Sequence, residues 1–87
     1  MKIKWSPNYE RSLQKFDKNM RLKVKKKLEL FIENKKHPSL RYKKVKALKH
    51  ERPPVWEISI DMDIRITLQK FDDHIYLRNI GGHNILP

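Results

Sequence analysis

Four side chains in the last third of the sequence, Glu57, Arg65, Arg78 and His83, are of types that act on a phosphodiester. A carboxylate or an imidazole gives and takes protons near neutral pH, and a guanidinium presents a planar fork that fits two phosphoryl oxygens. Together they can perform one reaction without metal or cofactor, the cleavage of RNA by its own 2′-hydroxyl. In that reaction the 2′-oxygen loses a proton, the extra negative charge on the pentavalent phosphorus is stabilised, and the 5′-oxygen gains a proton. Glu57 or His83 would serve as base or acid, and Arg65 would hold the phosphate. The same residues also have a plainer reading: Glu57 and Arg65 as a cross-strand ion pair, and His83 as a loop residue after Gly81-Gly82.

Other chemistries fit less well. The four histidines, His37, His50, His74 and His83, show no paired spacing, and with no cysteine beside them neither a metal site nor a disulfide framework is expected. No glycine-rich phosphate loop and no serine in a nucleophile-elbow pattern occurs, so no cofactor is expected.

Three strand-like runs carry these residues: VWEISI, DIRITLQKF and HIYLRNIGGH, between Val55 and His83. The short acidic links Asp61–Asp63 and Asp72–Asp73 join them into a meander. Trp56, Ile58 and Ile60 alternate with Val55, Glu57 and Ser59, and Ile64, Ile66 and Leu68 alternate with Arg65, Thr67 and Gln69. Ile75 and Leu77 likewise oppose Tyr76 and Arg78. One face is therefore apolar and needs a cover, while Glu57, Arg65 and Arg78 share an uncovered face with His83 at its lip.

The first half supplies the cover. Lys2–Trp5 alternates as a short strand with Ile3 and Trp5 buried. Ser6 caps a helix whose first position suits Pro7, and Tyr9, Leu13 and Phe16 form its stripe. Asp17 caps a second helix from about Lys18 to Asn34, on which Met20, Val24, Leu28, Phe31 and Ile32 make an apolar arc. His37-Pro38 ends that helix, and Pro53-Pro54 separates RYKKVKALKHER from the meander. The expected fold is α+β, a single domain over 1–87 in which an N-terminal strand and a helical hairpin pack on a twisted antiparallel sheet.

The net charge of +11 is unevenly placed: residues 1–50 carry +13 and residues 51–87 carry −2. A surface with that asymmetry attracts phosphate backbones, and Arg41, Lys43, Lys44, Lys46, Lys49 and Arg78 are the expected RNA-binding residues. As a structural device, Lys-rich segments also protect a sheet edge from pairing with other chains. No apolar run reaches the ~18 residues of a membrane span, and MKIKWSPNYE lacks the apolar core of a signal peptide, so a cytoplasmic protein without membrane contact is expected.

HPSLRYKKVK, VWEISI, DIRIT and LRNIGGH, taken in order, resemble the RelE/ParE superfamily of bacterial and archaeal toxins, in particular its RelE and YafQ-like branches. The resemblance covers essentially the whole chain and implies a strand, two helices and a meander. For the ribonuclease branch it implies cleavage of mRNA on the ribosome, contacts with 16S ribosomal RNA, and a cognate antitoxin that wraps the toxin. By position, Arg65 matches the strand arginine that acts on the scissile phosphate in RelE-like members, and His83 matches the histidine of the terminal G-x-H motif of YafQ-like members. Two departures stand out: Glu57 and Ser59 occupy a strand where RelE carries lysines, and no aromatic residue follows His83. The alternatives are a ParE-like inhibitor of DNA gyrase and a catalytically weak member that only binds antitoxin or RNA.

Overall fold

Ser6 is where the first strand gives way to the first helix. Strand β1 (Lys2–Trp5) ends there, Pro7 takes the first helical position, and the Ser6 hydroxyl oxygen accepts a hydrogen bond from the Tyr9 amide at 3.0 Å. That bond satisfies one of the amides a helix start leaves without a partner. The same hydroxyl donates to the carbonyl of Arg78, and the Ser6 amide donates to the carbonyl of Leu77 at 3.0 Å. One serine thus both starts helix α1 (Pro7–Gln14) and fastens it to the far end of the sequence. Asp17 repeats the device, its carboxylate accepting from the Met20 amide at 2.8 Å to open helix α2 (Lys18–Glu33). The computed structural model describes residues 2–82 of the 87.

The remaining strands are β2 (Lys43–Lys44), β3 (Val55–Ser59), β4 (Arg65–Lys70) and β5 (His74–Gly81), and the sheet order is β1-β5-β4-β3-β2. The meander forms as the sequence predicts, with the Asp61 carboxylate accepting from the Asp63 and Ile64 amides at 3.0 and 2.9 Å to close its first turn. The sheet is mixed rather than antiparallel, because β1 runs parallel to β5. Only a short hairpin forces neighbours to run in opposite directions, and β1 reaches β5 through both helices and three intervening strands.

Ile58, Ile66 and Leu68 are fully withdrawn from solvent, and with Leu77, Ile80, Tyr9, Val24, Phe31 and Leu40 they form the core between sheet and helices. Thr67 pairs with Asn79 but Leu68 pairs with Leu77, so Arg78 is an extra residue in β5. This bulge lets Leu77 and Ile80, three positions apart, face the same side. Two expected core residues lie elsewhere. Trp5 is 50% exposed at the end of an edge strand, and Ile32 is 45% exposed. The buried arc of α2 turns toward Leu30, which leaves Ile32 on the rim of a groove that Trp5 also lines.

The face of the sheet away from the helices is not open as expected. Val55, Glu57, Ser59 and Thr67 are all buried. The segment between β2 and β3 folds against it: Gln69 Nε2 donates to the Pro53 carbonyl at 2.7 Å, and Arg78 meets Glu51 at 3.2 Å. Among the described residues no helix is long and apolar enough to cross a membrane.

Burial also pushes the Tyr9 phenol up to about 12 from its ordinary 10.0. Between those values the folded chain keeps a proton that the unfolded chain has released, so stability present below pH 10 is lost as pH rises toward 12. Denaturant titrations of wild type and Tyr9→Phe across that interval should show a steeper alkaline decline for wild type. Parallel declines would contradict the assignment.

Candidate active site

Glu57 stands at the centre of β3, and two neighbouring strands bring cations to it. Lys43 of β2 is its register partner, and Lys43 Nζ lies 3.2 Å from Glu57 Oε1. Arg65 of β4 pairs with Ser59 of β3, and Arg65 NH1 reaches the same Oε1 at 3.5 Å. The pairing is possible because Glu57, Ser59 and Arg65 all occupy the non-core face by strand alternation. The Glu57 side chain is 3% exposed and Arg65 19%, so of the two it is the guanidinium that an approaching ligand can touch. Glu57 Oε2 is buried and has no hydrogen-bond partner among the described residues. The sequence expectation of an exposed carboxylate is thereby corrected: the segment before β3 covers that face, and Glu57 is 2% exposed overall.

The basic residues divide between the two sides of the sheet. Lys43 is on the Glu57 side, whereas its neighbour Lys44 lies with Nζ 5.3 Å from the Trp56 ring centroid, a cation–π contact on the helix side. Trp56 stacks on Tyr42 at 4.5 Å, and Tyr42 meets Phe31 edge-on at 5.2 Å. Burial raises the Tyr42 phenol above its ordinary value. Lys46 and Lys49 stand exposed at a short 3-10 turn, Lys46–Leu48, without an ion pair among the described residues. Arg41 is exposed on the helix side of the chain's path, beside Tyr42 and Trp56.

Arg78 is the bulged residue of β5, and its charge is met by Glu51 at 3.2 Å. Glu51 was not readable as a site residue, because nothing in its spacing shows that a loop 27 residues earlier in the chain folds back to β5. His83 lies outside the described residues. The structure therefore brings Glu57, Arg65 and Lys43 together as one cluster, and holds Arg78 in a separate pair with Glu51. A fixed, partly accessible guanidinium held by a buried carboxylate is suited to receive a phosphoryl group, because its fork is oriented before the ligand arrives.

No protein-family model matches the chain, and no curated protein matches it. Solved structures do. YoeB from Staphylococcus aureus superposes with a TM-score of 0.72 at 21% identity, over 95% of this chain and 97% of that one. The archaeal RelE of the RelE–RelB complex from Pyrococcus horikoshii gives 0.73 at 10% identity, over 93% and 92%. YafQ in the E. coli DinJ–YafQ complex gives 0.74 at 18% identity, over 97% and 94%. By its architecture, two helices on a five-stranded mixed sheet, this chain has the RelE-like α+β fold that those toxins share.

Proposed function

We propose that this chain is the toxin of a toxin–antitoxin module and that it cuts mRNA on the ribosome through attack by the RNA's own 2′-hydroxyl. The observation that carries the reading is Arg65, 19% exposed and held by the buried Glu57 on the sheet face of a RelE-like fold. Similar structures were solved with the antitoxins RelB, DinJ and YefM, which supports an antitoxin as the partner here.

In the proposed reaction the 2′-oxygen forms a bond to phosphorus while the bond to the 5′-oxygen breaks, leaving a 2′,3′-cyclic phosphate and a 5′-hydroxyl. Arg65 donates to the non-bridging oxygens, whose charge grows as the phosphorane forms. Lys43 adds a second positive charge on the same side. Glu57, withdrawn from solvent, acts as a positioning residue: its Oε1 holds both cations, so that Arg65 meets the phosphate in one orientation. His83 is the imidazole offered by the sequence for moving a proton to or from the reacting oxygens. Lys46 and Lys49 add to the positive surface along which the strand approaches.

Arg65→Ala should lower the cleavage of mRNA on programmed ribosomes by roughly 100-fold or more, the scale for losing one oriented donor to a developing charge. Mapping of 3′ ends reads the loss, and Arg65→Lys, which keeps a cation beside Glu57 but loses the planar fork, separates it from the destabilisation that follows removal of a partner from the buried carboxylate. Cleavage within a few-fold of wild type would place the phosphate elsewhere. His83→Ala should relieve toxicity in the same way, and growth arrest that survives both substitutions would reject this site.

Glu57→Gln keeps the shape of the side chain and removes its charge. As a positioning residue it should reduce the rate by about 10-fold while leaving the pH dependence of cleavage unchanged, and the protein should melt several degrees lower because a buried ion cluster is broken. The loss of one limb of the pH–rate profile in this variant would instead make Glu57 the proton carrier.

A further inference from the structure

On the other side of the sheet from Arg65, several cations without an ion pair among the described residues gather around one cavity. A cavity of about 700 Å³ opens between the end of α2 and the edge of the sheet, lined by Lys35, Lys36, His37, Arg41 and Lys70, with Tyr42 and Trp56 forming an apolar wall. Trp56 and Lys70 point to the helix side by alternation, opposite Glu57 and Arg65, so this cavity is separate from the proposed cleavage site. No carboxylate lines it among the described residues.

We propose that this cavity is a phosphate-binding subsite, taking the phosphate of a nucleotide or of a single-stranded RNA. The inference goes beyond the cleavage reading and does not need it, since a phosphate bound here touches neither Arg65 nor Glu57.

Lys35 and Lys70 line the same cavity from different elements, the end of α2 and β4. The side chain of Lys35 is the largest cause that draws the Lys70 ammonium below its ordinary value, followed by burial and by the like charge. Two ammonium groups on one cavity wall, with no carboxylate among its described lining residues, make a surface that an anion neutralises. His37 is prepared for the same ligand. Its Nδ1 accepts from the Ser39 amide at 3.2 Å and lies 2.9 Å from the Ser39 hydroxyl, which assigns the ring proton of the neutral form to Nε2. Lys27 Nζ steadies that serine at 3.1 Å.

Arg41 adds a further sign. It has φ 46 and ψ 46, the only positive φ among the described non-glycine residues. That conformation caps the 3-10 turn Pro38–Leu40, the Arg41 amide donating to the Pro38 carbonyl at 3.2 Å, and the turn brings Arg41 to the cavity wall. Cations after a helix also offset the negative end of its dipole, which accounts for Lys35 and Lys36. It does not account for Lys70, which comes from β4.

The test uses the full chain and a fluorescent single-stranded RNA with 2′-O-methyl groups throughout, so that cleavage plays no part. The double variant Lys35→Ala/Lys70→Ala should weaken binding about 10-fold and flatten the salt dependence by about one to two phosphate contacts, each worth roughly 0.7 in the logarithmic slope. Lys15→Ala/Lys26→Ala, which removes the same charge from exposed positions elsewhere, should change binding by less than about 2-fold. Inorganic phosphate or ATP should raise the melting temperature of wild type and not that of Lys35→Ala/Lys70→Ala. A rise with ATP identifies a nucleotide site, and protection by RNA alone identifies a strand site. Equal weakening by both double variants would overturn the proposal, as would a lower melting temperature of Lys35→Ala/Lys70→Ala in phosphate-free buffer, since the lysines would then be structural. Failure here with an intact Arg65 effect removes this subsite and leaves the cleavage reading standing.

Discussion

A carboxylate withdrawn into the face of a β-sheet has to be neutralised. Glu57 meets that requirement with Lys43 from one side and Arg65 from the other, both converging on a single oxygen. Leaving such a charge uncompensated costs several kcal/mol, so the register of β2 against β3 and of β3 against β4 is tied to the same atom. A slip of one residue in either pairing would carry its cation to the core side. The cluster thus fixes strand register and aims the guanidinium at once.

The two faces of the sheet are built by different means. The helix side is closed by apolar packing, with Ser6 and Asp17 setting where α1 and α2 begin and the bulge at Arg78 keeping both Leu77 and Ile80 in the core. The other side is closed by polar links to a loop, through Gln69 to Pro53 and Arg78 to Glu51. A face held that way has exchangeable partners, because a charge-assisted contact to Glu51 can give way to one with a phosphate. Apolar packing on the opposite side offers no such exchange, and there the cations around Lys70 present chemistry suited to an anion.

Much of this was legible in the sequence. Ser6-Pro7 and Asp17 located both helix starts because a cap is a local chemical requirement, and the alternation of Ile58, Ile66 and Leu68 identified the core face because the strand period is local too. What escaped is non-local. The parallel pairing of β1 with β5 leaves no mark on Lys2–Trp5, whose alternation suits either direction and wrongly placed Trp5 inside. The burial of Glu57 depends on where residues 45–54 return, and their composition, rich in lysine with two prolines, reads as solvated chain. Lys35 and Lys70 are far apart in sequence and come to one cavity only through the tertiary fold. The candidate pair Glu57 and Arg65 was recognisable from strand alternation, but their unequal accessibility was not.

The central claim is that Arg65 serves an attack by the RNA on its own backbone, and the chemistry of the severed ends tests it most directly. Purified protein, programmed ribosomes and mRNA should give fragments whose 3′ ends carry a 2′,3′-cyclic phosphate and whose 5′ ends carry a hydroxyl, identified by mass spectrometry. Fragments with 3′-hydroxyl and 5′-phosphate ends, or intact mRNA, would contradict the account.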